Sequence, residues 1–317
     1  MKTPLILPLF SITLTSATAK TLQSPLDHPN TNNAVNNAIN NNMKAGNPVF
    51  PGWYADPEAR IFNQGYWIYP TYSAAYETQT FFDAFSSPDL LTWTKHPRIL
   101  DFGNIPWTTN RAAWAPSVIR RPASPATTTN GRDGAGIGVA RSTTGRPEGP
   151  YADVLGKPLI PKTVFGAEPI DPQVFVDDDE RVWLYFGGWS HAVVVELGSD
   201  MVSLKGEYSE ITPKGWGDDS YGVSYVTGQS PTGPFTTEPI KILSGNATVG
   251  TGTGHNSVFT PDGQDYYIVY HRRPVNDTER DHRVVCIDRM EFDAEGNILP
   301  VVITTEGIDA RALNQPV

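Results

Sequence analysis

A single phrase recurs in this chain, and it restricts the fold more than any other feature. Tyr54-Ala55-Asp56-Pro57-Glu58 leads into Ala59-Arg60-Ile61-Phe62, a tight turn at Asn63-Gln64-Gly65, and an aromatic return, Tyr66-Trp67-Ile68-Tyr69. Short β-branched and aromatic runs separated by such a turn read as a β-hairpin. The phrase returns at Ile170-Asp171-Pro172-Gln173-Val174, with Asp177 to Glu180 as its turn and Val182-Trp183-Leu184-Tyr185 as its return. It appears again at His255-Asn256-Ser257-Val258-Phe259, followed by Tyr266 to Tyr270, and Trp114-Ala115-Pro116-Ser117-Val118 is a further start. Repeats of several short strands, spaced by roughly 40 to 60 residues, indicate a β-propeller, and five units fit. A β-sandwich is the alternative all-β fold, but it leaves the repetition unexplained. Because each repeat keeps a polar residue at or beside its opening, the openings are expected to meet at one place.

Two of the five units look incomplete. After Val118-Ile119-Arg120-Arg121 the expected return strand is replaced by Pro122 to Asn130, which reads as loop, and only Gly136 to Ala140 survives as a strand. The fourth unit should open just after Lys214, yet the chain passes straight to Gly215-Trp216-Gly217-Asp218, without an opening strand or a return strand. Missing inner strands leave neighbouring sheet edges unpaired. A decayed enzyme or an inactive, truncated gene product is therefore one reading of the chain.

Composition agrees with one large all-β domain: 317 residues with 28 Gly, 28 Pro and 11% aromatic side chains, enough to bury a substantial core. A net charge of −10 argues against nucleic acid or an anionic membrane as partner, since like charges repel. Residues 1–19 read as a secretory signal, with Lys2 at the start, an apolar stretch from Leu5 too short to span a bilayer, and a small-residue cleavage site at Ala17-Thr18-Ala19. The expected location is extracellular. Residues 20–46 carry an asparagine-rich tract that cannot offset the entropy of ordering and read as a disordered linker, which leaves 47–317 for the propeller. Cys286, the lone cysteine, lies in the apolar run Val284-Val285-Cys286-Ile287 and is expected as a buried strand residue. Asn246-Ala247-Thr248 and Asn276-Asp277-Thr278 match the glycosylation acceptor pattern.

Several motifs fall in one order: Asn47 to Pro57, Trp114-Ala115-Pro116-Ser117, Pro169-Ile170-Asp171-Pro172, Gly252-Thr253-Gly254-His255-Asn256-Ser257 and Cys286-Ile287-Asp288-Arg289-Met290. Together they resemble family 43 of the glycoside hydrolases, a family of five-bladed propeller β-xylosidases, α-L-arabinofuranosidases and arabinanases. The resemblance implies inverting hydrolysis of arabinose- or xylose-containing plant polysaccharides or their oligomers. In it an aspartate base activates water, a glutamate acid protonates the leaving oxygen and a second aspartate tunes the acid. A non-catalytic carbohydrate-binding propeller is the competing class.

Inversion needs two carboxyl groups on opposite sides of the bond, roughly 6.5–9.5 Å apart, one ionised and one protonated. Asp56 matches the base and Asp171 the tuning aspartate, whose charge helps keep the acid protonated. The glutamate is where the chain departs from the family, because the segment that would carry it is missing. Glu148-Gly149-Pro150 has the right letters but belongs to a phrase that closes a unit, and Glu210, near the junction, is only a guess. His255 matches a histidine that the family keeps near the axis, often with a calcium or other ion beneath the site. A histidine packed in the core is the alternative, since calcium prefers several oxygen ligands, and the chemistry itself requires no cofactor. Asp177-Asp178-Asp179 reads as a solvated turn rather than a calcium loop. Trp53, Trp114, Trp189 and Trp216 are candidates for stacking on sugar faces, and Arg283 for hydrogen bonding to the sugar or orienting a carboxylate.

Overall fold

The computed structural model describes residues 3–8, 13–14, 43–120, 125–129, 136–215 and 221–313. Five antiparallel sheets account for nearly all the regular structure. The first is a meander of β3 (Tyr54–Phe62), β4 (Gly65–Tyr72), β5 (Phe81–Ser87) and β6 (Thr94–Asp101). Its leading hairpin is the recurrent phrase, with Phe62 paired to Gly65 across Asn63 and Gln64. Both of those residues have positive φ, 48° and 62°, as a two-residue turn matched to strand twist requires.

The second sheet holds β7 (Trp114–Val118), β8 (Pro125–Thr129), β9 (Gly138–Ser142) and β10 (Tyr151–Asp153), and the third β11 (Gln173–Val176), β12 (Val182–Phe186), β13 (Val193–Leu197) and β14 (Leu204–Glu210). The presence of β8 corrects the expectation that the second unit lacks its return strand. The stretch has no large apolar side chain to announce it, but its threonines are β-branched and favour extended backbone, and β8 pairs with both β7 and β9.

The fourth sheet runs in the order β16-β15-β1-β2. Only β15 (Gly222–Gly228) and β16 (Ile240–Ser244) come from the fourth unit itself; β1 (Thr3–Pro8) and β2 (Thr13–Leu14) come from the far N-terminus. Among the described residues the unit after Lys214 contributes β15 and β16. The sheet's other two places are taken by the segment read as a secretory leader, with Thr3 paired to Gly228 and Pro8 to Val223. The remaining residues of 1–19 and most of the asparagine-rich tract lie outside the described residues. The last sheet contains β17 (Thr251–Phe259), β18 (Tyr266–Arg273) and β19 (Val284–Met290).

The domain begins slightly before Asn47. Ala45 N donates to Ile308 O at 2.8 Å, Gly46 N to Glu306 O at 2.8 Å and Ala310 N to Met43 O at 3.0 Å, so residues 43–46 are fastened to the C-terminal stretch and are not part of a linker.

Apolar clusters fill the gaps between sheets. Phe50, Tyr66, Ile68 and Phe85 meet Phe259, Tyr267 and Val269 between the first and last sheets; Tyr69 and Phe82 meet Val118 and Ala140 between the first and second. Ile119 and Ile137 meet Leu184 and Val195, Tyr185 and Val194 meet Val226, and Val223 and Tyr225 meet Ile268 and Tyr270. Middle strands are therefore covered on both faces, which is why β12 reads Val-Trp-Leu-Tyr-Phe without alternation and is buried throughout. Cys286 is buried and free, as expected. Among the described residues no helix is long and apolar enough to cross a membrane.

Candidate active site

The openings of the repeats share a backbone device. Asp56, Ala115, Asp171 and His255 all have positive φ, at 47°, 45°, 52° and 40°, a conformation that costs non-glycine residues energy and is retained where the surroundings enforce it. In β3, β7 and β17 the pairing register slips at this point, between Ala55 and Glu58, between Trp114 and Ser117, and between Gly254 and Ser257. A bulge of this kind turns a side chain out of the pleat and re-aims it. The re-aimed side chains of Asp56, Asp171 and His255 point into one cavity of about 490 Å³.

Below the cavity, polar side chains lock the first strands of neighbouring sheets together. Ala59 N donates to Ser257 Oγ at 2.7 Å, and that hydroxyl donates to Pro57 O at 2.8 Å. Val174 N donates to Ser117 Oγ at 3.1 Å, and Arg60 Nε to Val118 O at 2.7 Å. Buried Glu58 pairs with Arg60 at 2.5 Å. Backbone ladders cannot bridge sheet to sheet; these contacts do, and they fix where the openings point.

His255 stands between the two aspartates, its Nδ1 3.6 Å from Asp56 Oδ1 and 3.8 Å from Asp171 Oδ2. Those two oxygens are thus no farther apart than the sum of the two distances. Arg283 reaches Asp56 Oδ1 through a terminal nitrogen at 3.3 Å and donates through Nε to Ser73 Oγ at 3.0 Å. Asp56 and Asp171 are only 8% and 9% exposed, so each carboxylate feels desolvation strongly.

The two aspartates are driven in opposite directions. Burial by itself would raise Asp56, but Arg283 and the adjoining histidines outweigh it and hold the carboxyl far below its ordinary range. Burial raises Asp171 well above that range, and the nearby Asp56 charge adds to the effect. His255 is pushed down to about 4, chiefly by burial, and His271 is also lowered by burial. Both rings are neutral at pH 7, so Arg283 is the permanent charge that keeps Asp56 ionised. Two neighbouring carboxyl groups driven in opposite directions are an arrangement that suits acid and base chemistry.

Of the sequence-predicted sugar contacts, Trp114, Trp189 and Arg283 line the cavity and Trp53 does not. Trp53 stacks on His282 instead, with ring centroids 4.2 Å apart. Trp114 donates from Nε1 to Gln79 Oε1 at 2.5 Å and meets Tyr76 edge-on. Trp189 donates to the Glu168 carboxylate and is half exposed. Trp216 lies outside the described residues. Glu148 and Glu210 are not among the lining residues: Glu148 faces Arg146 at 3.8 Å, and Glu210 faces His191 at 3.8 Å and accepts from Thr212 Oγ1.

Sequence reasoning missed His271, which is almost fully buried against Asp56. Its Nδ1 accepts from Asp56 N–H at 3.1 Å and lies 3.2 Å from Asp56 Oδ1, while Nε2 is 3.0 Å from the Tyr221 hydroxyl. The signal was available in the hairpin register. Counting back from the Phe259–Tyr267 pair brings His271 beside the opening of β17, opposite Gly254 once the bulge is allowed for. Calcium is a poor match to the donors around His255. An imidazole nitrogen is not a calcium-type ligand, and among the described residues no three His, Cys, Asp or Glu side chains converge as a ligand set.

Comparison with known proteins adds an independent line. The family model described as glycosyl hydrolases family 43 matches residues 45–220 and 214–298. A β-D-galactofuranosidase of Aspergillus niger is 65% identical over 320 residues, covering 91% of this chain and 94% of that protein. An arabinoxylan arabinofuranohydrolase of Bacillus subtilis is 28% identical over 70% of this chain and 55% of its own length, so the alignment spans little more than half of that relative. Among solved structures, an α-L-arabinofuranosidase of Clostridium thermocellum superposes with a TM-score of 0.65 and 30% identity, over 80% of this chain and 95% of that one. These matches agree with the all-β architecture, and on them the chain belongs to family 43 of the glycosyl hydrolases.

Proposed function

We propose that this protein is a five-bladed propeller that hydrolyses glycosidic bonds with inversion, acting on arabinose- or xylose-containing plant polysaccharides or their oligomers. The relatives' names bring arabinoxylan and β-D-galactofuranosides into the substrate range to be tested. The observation that carries this reading is the pair of aspartates facing one cavity, Asp56 driven below and Asp171 above the ordinary carboxyl range. Asp56 then acts as the base that takes a proton from the attacking water. Asp171, beside His255 in the same cavity, serves as the tuning aspartate, and Arg283 orients the base. Trp114 and Trp189 offer aromatic faces to the sugar rings. This hydrolysis needs no cofactor. Export is part of the proposal, supported by the pattern of residues 1–19.

The test is release of arabinose, xylose or galactose from nitrophenyl glycosides and arabinoxylan, with the anomer of the first product read by proton NMR. Activity abolished by Asp56→Ala, with the inverted anomer formed first, supports the reading. Retention of configuration or full activity of the variant overturns it. A carbohydrate-binding propeller without turnover is the second reading. It is favoured by one observation: among the described residues no glutamate lines the cavity, and Asp281, its third carboxylate, is locked to Arg280 by two hydrogen bonds of 2.8 and 2.7 Å.

A further inference from the structure

Among the described residues, the cavity carries one cation that no carboxylate pairs. Arg283 is taken by Asp56 and Ser73, and Arg280 by Asp281. Arg273, the last residue of β18, lines the same wall, is partly buried, and forms no ion pair with any described carboxylate. Its guanidinium rests on Gly252, where an added Cβ would stand 2.8 Å from a terminal nitrogen. The missing side chain at Gly252 is therefore what gives the arginine its seat. In a chain of net charge −10, an unanswered guanidinium in a sugar-sized cavity is a recognition element in need of a ligand.

A planar guanidinium presents parallel N–H groups that fit two neighbouring oxygen atoms. We propose that Arg273 sets specificity by receiving two adjacent oxygens that a pentose lacks, so that the cavity prefers six-carbon glycosyl units. The pair is either the exocyclic glycol of a hexofuranosyl unit or the carboxylate of a uronyl unit. When an arabinosyl or xylosyl unit binds, these donors go unmatched, and unmatched buried donors are what make polar sites discriminate. The inference rests on the cavity being a sugar site, and not on turnover there.

The experiment is calorimetric binding of methyl β-D-galactofuranoside, D-glucuronic acid and methyl α-L-arabinofuranoside to the full chain, native and carrying R273A or R273K. The native chain should bind one of the first two about tenfold or more tightly than the arabinoside, and R273A should erase that ratio. R273K keeps the charge but not the fork, so it should rescue glucuronic acid in part and the galactofuranoside not at all; this tells the two sources apart. Native preference for the arabinoside, or a ratio unchanged within about twofold in R273A, overturns the proposal. Failure of all three sugars to bind overturns it together with the sugar-site reading. An inactive chain that still ranks the sugars in this order sinks hydrolysis and supports Arg273.

Discussion

Asp56 is tied down by Arg283, His255 and the His271 ring, all within 3.6 Å of one carboxylate oxygen. Its replacement by alanine should lower kcat by about 10²–10⁴-fold, the usual contribution of a general base, while sugar affinity changes far less; steady-state kinetics beside calorimetry separates the two. His271 has a different duty. It satisfies the Asp56 amide on one side and meets the Tyr221 hydroxyl on the other, so His271→Phe removes the acceptor of the buried Asp56 amide. We expect a loss of about 1–3 kcal/mol in urea-induced unfolding, partly restored by His271→Gln. Asp56 and Asp171 were legible in the sequence because each opens a copy of a repeated phrase. His271 was not, because it opens nothing: its place depends on how far a bulge displaces the register between β17 and β18, and that displacement is set by packing between sheets.

Each unit's hairpin is written locally, with its turn and both strands contiguous, and those hairpins were readable. The fourth sheet is not contiguous. Its β1 and β2 arrive from more than two hundred residues away, and no local pattern announces such a pairing. The same residues read as a cleavable leader, and removal at Ala19 would take both strands away. A chain beginning at Lys20 would leave β15 with β16 on one side and a bare edge of unpaired backbone groups on the other. That shortened chain should melt at a lower temperature than the full-length protein and should self-associate with rising concentration. Paired thermal melts and sedimentation velocity check this expectation; identical melting would show that the fourth sheet does not depend on β1.

Titration of the site should be visible in the stability of the whole molecule. His255 is depressed from 6.5 to about 4 and His271 is depressed as well, so the unfolded chain binds protons in a range where the folded chain refuses them. Stability is then fullest above the ordinary histidine pKa and is lost as pH falls from about 6.5 toward 4, by roughly 3 kcal/mol for His255 alone. Asp171, raised in the folded state, works in the opposite sense, contributing a loss as pH rises above the ordinary aspartate value. Asp171→Asn removes that opposing slope. The variant should therefore be the more stable protein at pH 7 and should show the steeper decline on acidification, as measured by melting temperature between pH 4 and 7.

Residues 43–46 and 306–310 meet through a few backbone hydrogen bonds that fasten the beginning of the domain to its end. Tension applied at the C-terminus would reach this clasp once the Arg311 contacts had given way, whereas tension at the N-terminus would fall first on β1 in the fourth sheet. The two ends of the chain would thus pass their load to different places, a cargo at the C-terminus to this seam and one at the N-terminus to the fourth sheet.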